Sequence, residues 1–410
     1  MKVLSKTDTK LRRNLLILFA AGLLFWSSLS CLLPTLPLYL EEVGATKQQI
    51  GILMGGFAIG LLLFRPWLGQ LADKRGRKIV LLIGILVVAI APLGYGLTNS
   101  FPLLMVIRAF HGISIAAFAT GYLALVADLA PPNHRGEIIG YMSLVNPIGL
   151  AVGPALGGYL QAAAGDTALF LLSAGLGGLG VLCIVPVVNP PIQTQQQAKD
   201  QKTNFWRMLV SPRVRIPAFV MLMVGLTVGS LHTFAPLFIK STQVDLNVGL
   251  FYTASAISSF SGRVFIGRAS DRLGRGLFVT LGLVFYSVSM VLMWLANNVS
   301  IFLIAALIEG AGGGTLIPMV STMMTDRSLP QERGRIFALC IAGFDVGIAI
   351  AGPVFGFVAE QFGYRNIFGV TAAFAGLGIL VFLTQSGKNL ATSVRFALGR
   401  GEDVYALNKI

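Results

Sequence analysis

The sequence predicts an all-α membrane protein with twelve transmembrane helices in two pseudo-symmetric six-helix bundles. Three observations carry that expectation. The 410 residues are 55% hydrophobic and only 12% charged, about half the charged fraction of a soluble globular chain. The apolar residues fall in stretches of about 20 or more, enough to cross a hydrocarbon core roughly 30 Å thick. The second half of the chain also repeats the pattern of the first.

The apolar spans read as 14–40, 48–72, 79–97, 101–127, 137–162, 167–188, 214–240, 247–269, 276–296, 300–325, 335–361 and 363–385. Lys10, Arg12 and Arg13 precede the first span, as they would in a signal peptide. That run is too long for a signal-peptide core and lacks a small-residue cleavage site, so it reads as a retained first helix. Most connections are short. The exception, from Asn189 to about Arg213, is rich in Gln and Lys. The chain therefore divides into an amino-terminal bundle (1–188), a cytoplasmic linker (189–213), a carboxy-terminal bundle (214–385) and a cytoplasmic tail (386–410). Phe205, Trp206, Met208 and Leu209 suit a short helix lying on the membrane surface.

Most of the 31 lysines and arginines fall on one side if the amino terminus is inside. Both termini are therefore expected in the cytoplasm of a bacterial inner-membrane protein. This asymmetry accounts for the net charge of +14 as topology and contact with anionic membrane lipid, not nucleic-acid binding. Cys31, Cys183 and Cys340 are far apart within apolar runs and read as packing residues. No cofactor or metal is expected.

Sliding the second half back by 198 residues superimposes Gly51 on Gly249, Arg65 on Arg263, Gly69 on Gly267, Asp73 on Asp271 and Gly76-Arg77 on Gly274-Arg275. Gly112 meets Gly310 and Asp128 meets Asp326, while Gly153-Pro154 meets Gly352-Pro353 one residue later. Two parallel repeats of six helices suit a transporter that rocks about a midplane site.

On these residues the chain resembles the major facilitator superfamily. The run from Gly69 through Asp73 and Gly76-Arg77 to Lys78 is similar to the family's signature after the second helix. Asp271 and Arg275 belong to its degenerate copy. Leu104, Arg108 and Gly112 match a second motif. Gly140, Gly149, Gly153-Pro154 and Gly157-Gly158 match the spacing of the antiporter motif in the fifth helix. The resemblance points to the twelve-helix drug:proton antiporters, with a small-molecule substrate, protons as the driving ion and a monomer as the working unit. It also implies a charge relay of Asp73, Arg77 and Asp128 that latches the outward-facing state. Gly69 is read as allowing close helix approach and Gly76 a tight turn. Glycines four apart in the fifth span make a flat packing face, and Pro154 favours a kink.

Charges inside the spans mark candidate sites, because each costs at least about 2.5–3.5 kcal/mol at the bilayer centre. They are Arg65, Arg108, His111, His232, Arg263, Glu309 and Asp345. His111 falls on Glu309 in the repeat, and the resemblance implies that both helices line a central cavity, so the two are expected to face each other across it with Arg108 close to both. The first helix has no carboxylate before Glu41, unlike several relatives. Glu309 and Asp345 are thus the proton-carrier candidates, with His111 third. Leu23, Leu24, Phe25, Trp26, Leu29 and Leu32, with Met221, Met223, Leu226, Leu231 and Phe234, are candidates for apolar cavity walls. The spans hold few deep Asn or Gln besides Asn146, which weakens a sugar-transport reading. A proton-coupled sugar or metabolite transporter is the alternative, with uptake symport the nearest rival. A channel would not need duplicated gate motifs, and an enzyme would need a catalytic constellation that three scattered histidines do not supply.

Overall fold

A computed structural model of the chain describes residues 9–131, 134–188, 208–329 and 332–407, apart from the side chains of residues 264–268, 271, 272 and 334. The helices are α1 (Thr9–Glu42), α2 (Lys47–Arg75), α3 (Arg77–Tyr95), α4 (Phe101–Leu129), α5 (Arg135–Met142), α6 (Val145–Ile184), α7 (Arg215–Ser241), α8 (Val248–Leu273), α9 (Arg275–Leu295), α10 (Val299–Asp326), α11 (Arg333–Phe362), α12 (Tyr364–Gln385) and α13 (Leu390–Ala397). In hydrocarbon every backbone N–H and C=O must be satisfied within its own segment, so apolar sequence of this length folds as helix. Among the described residues, ten helical stretches are long and apolar enough to span a membrane. One of them, Arg135–Ile184, holds two crossings divided at Gly165, which has φ 79° and ψ −176°. The 26-residue α8 completes the twelve.

The breaks repeat with the same period as the sequence. Gly76 and Gly274 have φ 94° and 84° and start α3 and α9, and Gly363, with φ 80°, divides α11 from α12 as Gly165 divides α6. These are conformations that essentially only glycine adopts without strain. The fifth span is not one helix from its start, as the sequence suggested. It breaks at Ser143–Leu144, between α5 and α6. Pro147 lies in the first turn of α6, where its missing N–H costs nothing, whereas a helix continuing from α5 would lose a bond there.

The chain forms two compact units. The first holds residues 1–45, 56–198 and 247–253, and the second holds 46–55, 199–246 and 254–410. In the first unit α1 packs along α6, and α3 packs against α4 and α6. In the second, α7 packs along α11 and α12, and α9 packs against α10 and α12. Because the two halves of α6 correspond to α11 and α12, the two packing schemes are the same. Phe25, Phe118 and Tyr122 stack in the first core, with ring centroids 3.9 and 4.6 Å apart. Large side chains such as Leu63, Trp67 and Leu182 are exposed, as suits helices that face lipid.

Several residues expected to wall a cavity are core instead. Phe25, Met221, Leu231 and Phe234 are 0–2% exposed, and Phe25 is committed to Phe118. Cys31 and Cys340 are buried and Cys183 is partly so. Phe205 and Trp206 lie outside the described residues, while Met208 and Leu209 pack on the second core. The tail forms α13, an element the sequence reading did not anticipate.

Replacing Gly165 with Ala is expected to lower the thermal midpoint in detergent, with a cost of about 1–3 kcal/mol for the forced positive φ. Gly175→Ala, at a helical position where a Cβ meets no neighbour, is expected to leave the midpoint unchanged or raise it.

Candidate functional site

In the first unit the polar groups cluster where α4 crosses α2 and α3. His111 is fully buried, and its Nδ1 lies 3.1 Å from the Tyr95 hydroxyl. Phe57 of α2 meets the His111 ring edge-on at 5.6 Å. Arg108, one turn earlier, lies over the same Phe57 ring at 4.7 Å, where a ring quadrupole stabilises a desolvated cation. Gly112 permits the crossing, because a Cβ there would collide with the Phe57 carbonyl. Among the described residues, Arg108 Nε and His111 Nε2 are buried without a hydrogen-bond partner.

The second unit repeats this crossing with different chemistry. A Cβ on Gly310 would collide with the Ser255 carbonyl of α8. Glu309 sits where His111 sits in the first unit, and Ser255 sits where Phe57 sits. The Ser255 hydroxyl donates to Glu309 Oε2. Tyr286 of α9 lies within electrostatic reach of Glu309 and Arg263. Glu309 thus has a neutral hydrogen-bond donor from its own half, and Arg108 has the aromatic face of Phe57 from its own. Asp345, on α11, is 8% exposed.

At the edge of the first unit, Arg77 lies 3.4 Å from Asp73 and 3.6 Å from Asp128. All three side chains are at least a third exposed, and exposed pairs of this kind contribute about 0–1 kcal/mol. The corresponding pair in the second unit, Arg275 and Asp326, is more buried, and Arg275 also donates to the Thr322 carbonyl at 3.0 Å. The side chain of Asp271 lies outside the described residues. Gly69 does not bring helices together, since a Cβ there would meet no atom within 4 Å. Gly76 serves the turn, as expected.

The antiporter-motif glycines serve two faces of α6. Gly149, Gly153 and Gly157 lie against α1, where Cβ atoms would strike Trp26, Ser27, Ser30 and Cys31. Ser30 bridges this contact by donating to the Gly149 carbonyl at 2.8 Å. On the other face the Pro154 carbonyl abuts Gly249, and a Cβ on Gly158 would strike Asn247. The Thr253 hydroxyl donates to the Ala151 carbonyl at 2.8 Å. Gly140, in α5, touches nothing with its Cβ direction and stands outside this packing. In α11, Gly343 and Gly347 meet α7 and Gly352 meets Gly51. Among the described residues no group of His, Cys, Asp or Glu could hold a metal ion.

Residues 18–264 and 243–397 match the Major Facilitator Superfamily family model. The chain is 27% identical over 374 residues to a "Multidrug resistance protein MdtG" of Serratia proteamaculans, covering 88% of this chain and 90% of that protein. It is 26% identical over 392 residues to the protein of the same name in Escherichia coli O6:K15:H31, covering 92% and 94%. Among solved structures it resembles the nucleoside transporter NupG, with TM-score 0.77 at 15% identity over 90% of this chain and 98% of that one. It also resembles a bacterial homologue of the human lysosomal transporter Spinster, with TM-score 0.73 at 15% identity over 97% and 100%. At these identities the structures establish the fold.

Gly153→Leu is expected to destabilise the protein by about 1–3 kcal/mol through overpacking against Ser27 and Ser30, and to leave reconstituted vesicles without substrate transport. Gly140→Leu is expected to match wild type in both thermal midpoint and transport.

Proposed function

The chain is a multi-pass secondary transporter belonging to the major facilitator superfamily, and from that premise we propose that it exports small lipophilic, drug-like molecules in exchange for protons. The observation that carries this reading is Glu309. It stands about ten residues, or roughly 15 Å, into α10, and its hydrogen-bond partner is the uncharged Ser255. A carboxylate there costs at least about 2.5–3.5 kcal/mol when ionised near the bilayer centre, and protonation removes that charge. The same residue is thereby able to carry a proton through the membrane and to respond when a substrate or a conformational change alters its surroundings. Asp345 and His111 are the second and third candidates, and Arg108 tunes the field around His111.

Export is supported by the glycine packing of α6 and by relatives named for multidrug resistance. A lipophilic substrate fits spans poor in deep amides. Asp73, Arg77 and Asp128, with Asp271, Arg275 and Asp326 as the second copy in the sequence, act as the cytoplasmic latch. Their exposed pairs are weak enough to break in each cycle. The lysine and arginine pattern supports a reading with both termini in the cytoplasm of a bacterial inner membrane, and the reading takes a monomer as the working unit.

One charge moving through 100 mV releases about 2.3 kcal/mol, enough for roughly a forty-fold substrate gradient per proton at about 1.4 kcal/mol per tenfold. In proteoliposomes carrying ethidium, rhodamine 6G or Hoechst 33342, wild type is expected to move at least one dye uphill when a pH gradient is imposed. Glu309→Gln is expected to abolish uphill movement and spare downhill exchange. Uphill pumping by Glu309→Gln would transfer the role to Asp345. Gradient-driven sugar uptake without dye export would favour the symport alternative.

Asp73→Asn is expected to reach the membrane in normal amount and transport at least about tenfold more slowly. Asp73→Glu should recover most of the rate. Wild-type rates in Asp73→Asn would remove the latch.

A further inference from the structure

Arg327 is among the largest fully buried side chains, at 0% exposed. It has no counterpart in the repeat, since the position 198 residues earlier is Leu129. Its charge is met by the tail. Arg327 Nε donates to Asp403 Oδ2 at 2.7 Å, and Nη1 donates to the Arg213 carbonyl at 3.2 Å. The guanidinium also lies over the rings of Phe396 and Tyr405, at 5.7 and 5.2 Å.

The rest of the tail is built to hold Asp403 there. Asn389 and Thr392 form a reciprocal capping box that starts α13. The Thr280 hydroxyl of α9 donates to the Ala397 carbonyl at 2.8 Å. Beyond α13, Leu407 N–H donates to the Asp326 carbonyl at 2.8 Å. Asp326 is the carboxylate of the Arg275 pair and the immediate neighbour of Arg327. Arg275, Arg327 and Arg333 therefore gather about two carboxylates, and Asp326 lies within electrostatic reach of both Asp403 and Arg333.

We propose that Asp403 is a positioning residue of the cytoplasmic latch, and that Gly387–Leu407 is a strap that neutralises Arg327 so that Asp326 stays with Arg275. Without Asp403 the buried guanidinium loses its carboxylate partner and turns to Asp326, which lies within electrostatic reach of Asp403. The two arginines then compete and the latch pair loosens. This function of the strap rests on the latch reading given above. The strap itself does not, and the experiment separates them.

The full chain, with Cys31, Cys183 and Cys340 replaced by alanine, carries a nitroxide on Thr325→Cys in lipid nanodiscs. Thr325 is exposed and precedes Asp326. A second preparation carries it on Ala127→Cys, the equivalent position before Asp128. Asp403→Asn is expected to turn the mobile component of the Thr325 spectrum from the minor to the major one and leave the Ala127 spectrum unchanged. Asp403→Glu should keep the wild-type spectrum. Arg327→Met combined with Asp403→Asn should restore immobility, because the competitor for Asp326 is gone. General loosening would not be rescued in this way. An unchanged Thr325 spectrum in Asp403→Asn, equal changes at both sites, or a double variant as mobile as the single one overturns the proposal. If Asp403→Asn fails to accumulate, accumulation of the double variant supports competition, and failure of both overturns it. Wild-type dye transport alongside the predicted spectra removes the latch reading and leaves the strap.

Discussion

A charge carried into hydrocarbon must be answered by groups close enough to touch it, and each half of this protein answers its own. The crossing at Gly112 gives His111 the Tyr95 hydroxyl and gives Arg108 the face of Phe57. The crossing at Gly310 gives Glu309 the hydroxyl of Ser255. The backbone arrangement is the same in both, with a glycine on one helix pressed against a carbonyl on the next. Duplication supplied the frame, and differences at Phe57, Arg108 and His111, which meet Ser255, Ala306 and Glu309 in the second half, made one crossing basic and the other acidic.

The charges at the cytoplasmic edge obey a different balance. Arg77 lies between two carboxylates in partly exposed surroundings, where solvent screens the pairs and each contributes little. Such contacts can be made and broken in every cycle. Arg275 and Asp326 are less exposed, and the tail is the reason. It brings Asp403, Phe396 and Tyr405 over Arg327 next door. One copy of the motif is open to water and the other is covered.

Much of the fold was legible because the bilayer leaves few choices. Length and hydropathy placed the spans, and the 198-residue shift reached beyond the matched motifs to paired positive-φ turns at Gly165 and Gly363. What was not legible had local causes. The break before α6 depends on Pro147 in a first turn, which resembles an ordinary apolar run containing proline. Sequence equivalence paired His111 with Glu309 and said nothing of the partner each has within its own half, Tyr95 and Ser255. Gly69 matched a motif, yet a side chain there would stand in open space. The tail was missed because a 25-residue polar end looks featureless. The signal was there in Arg327, a cation that breaks the repeat at the end of an apolar span, and in the Asn389–Thr392 spacing of a capped helix.

On the proposed mechanism Glu309 gains and loses a proton inside the membrane. Infrared difference spectroscopy on the reconstituted protein, stepped between alkaline and acidic pH, tests it most directly. The account predicts a protonated-carboxyl stretching band on acidification that is absent from Glu309→Gln and persists in Asp345→Asn, shifted in Ser255→Ala because its hydrogen-bond donor is gone. A band unchanged in Glu309→Gln and lost in Asp345→Asn would contradict it.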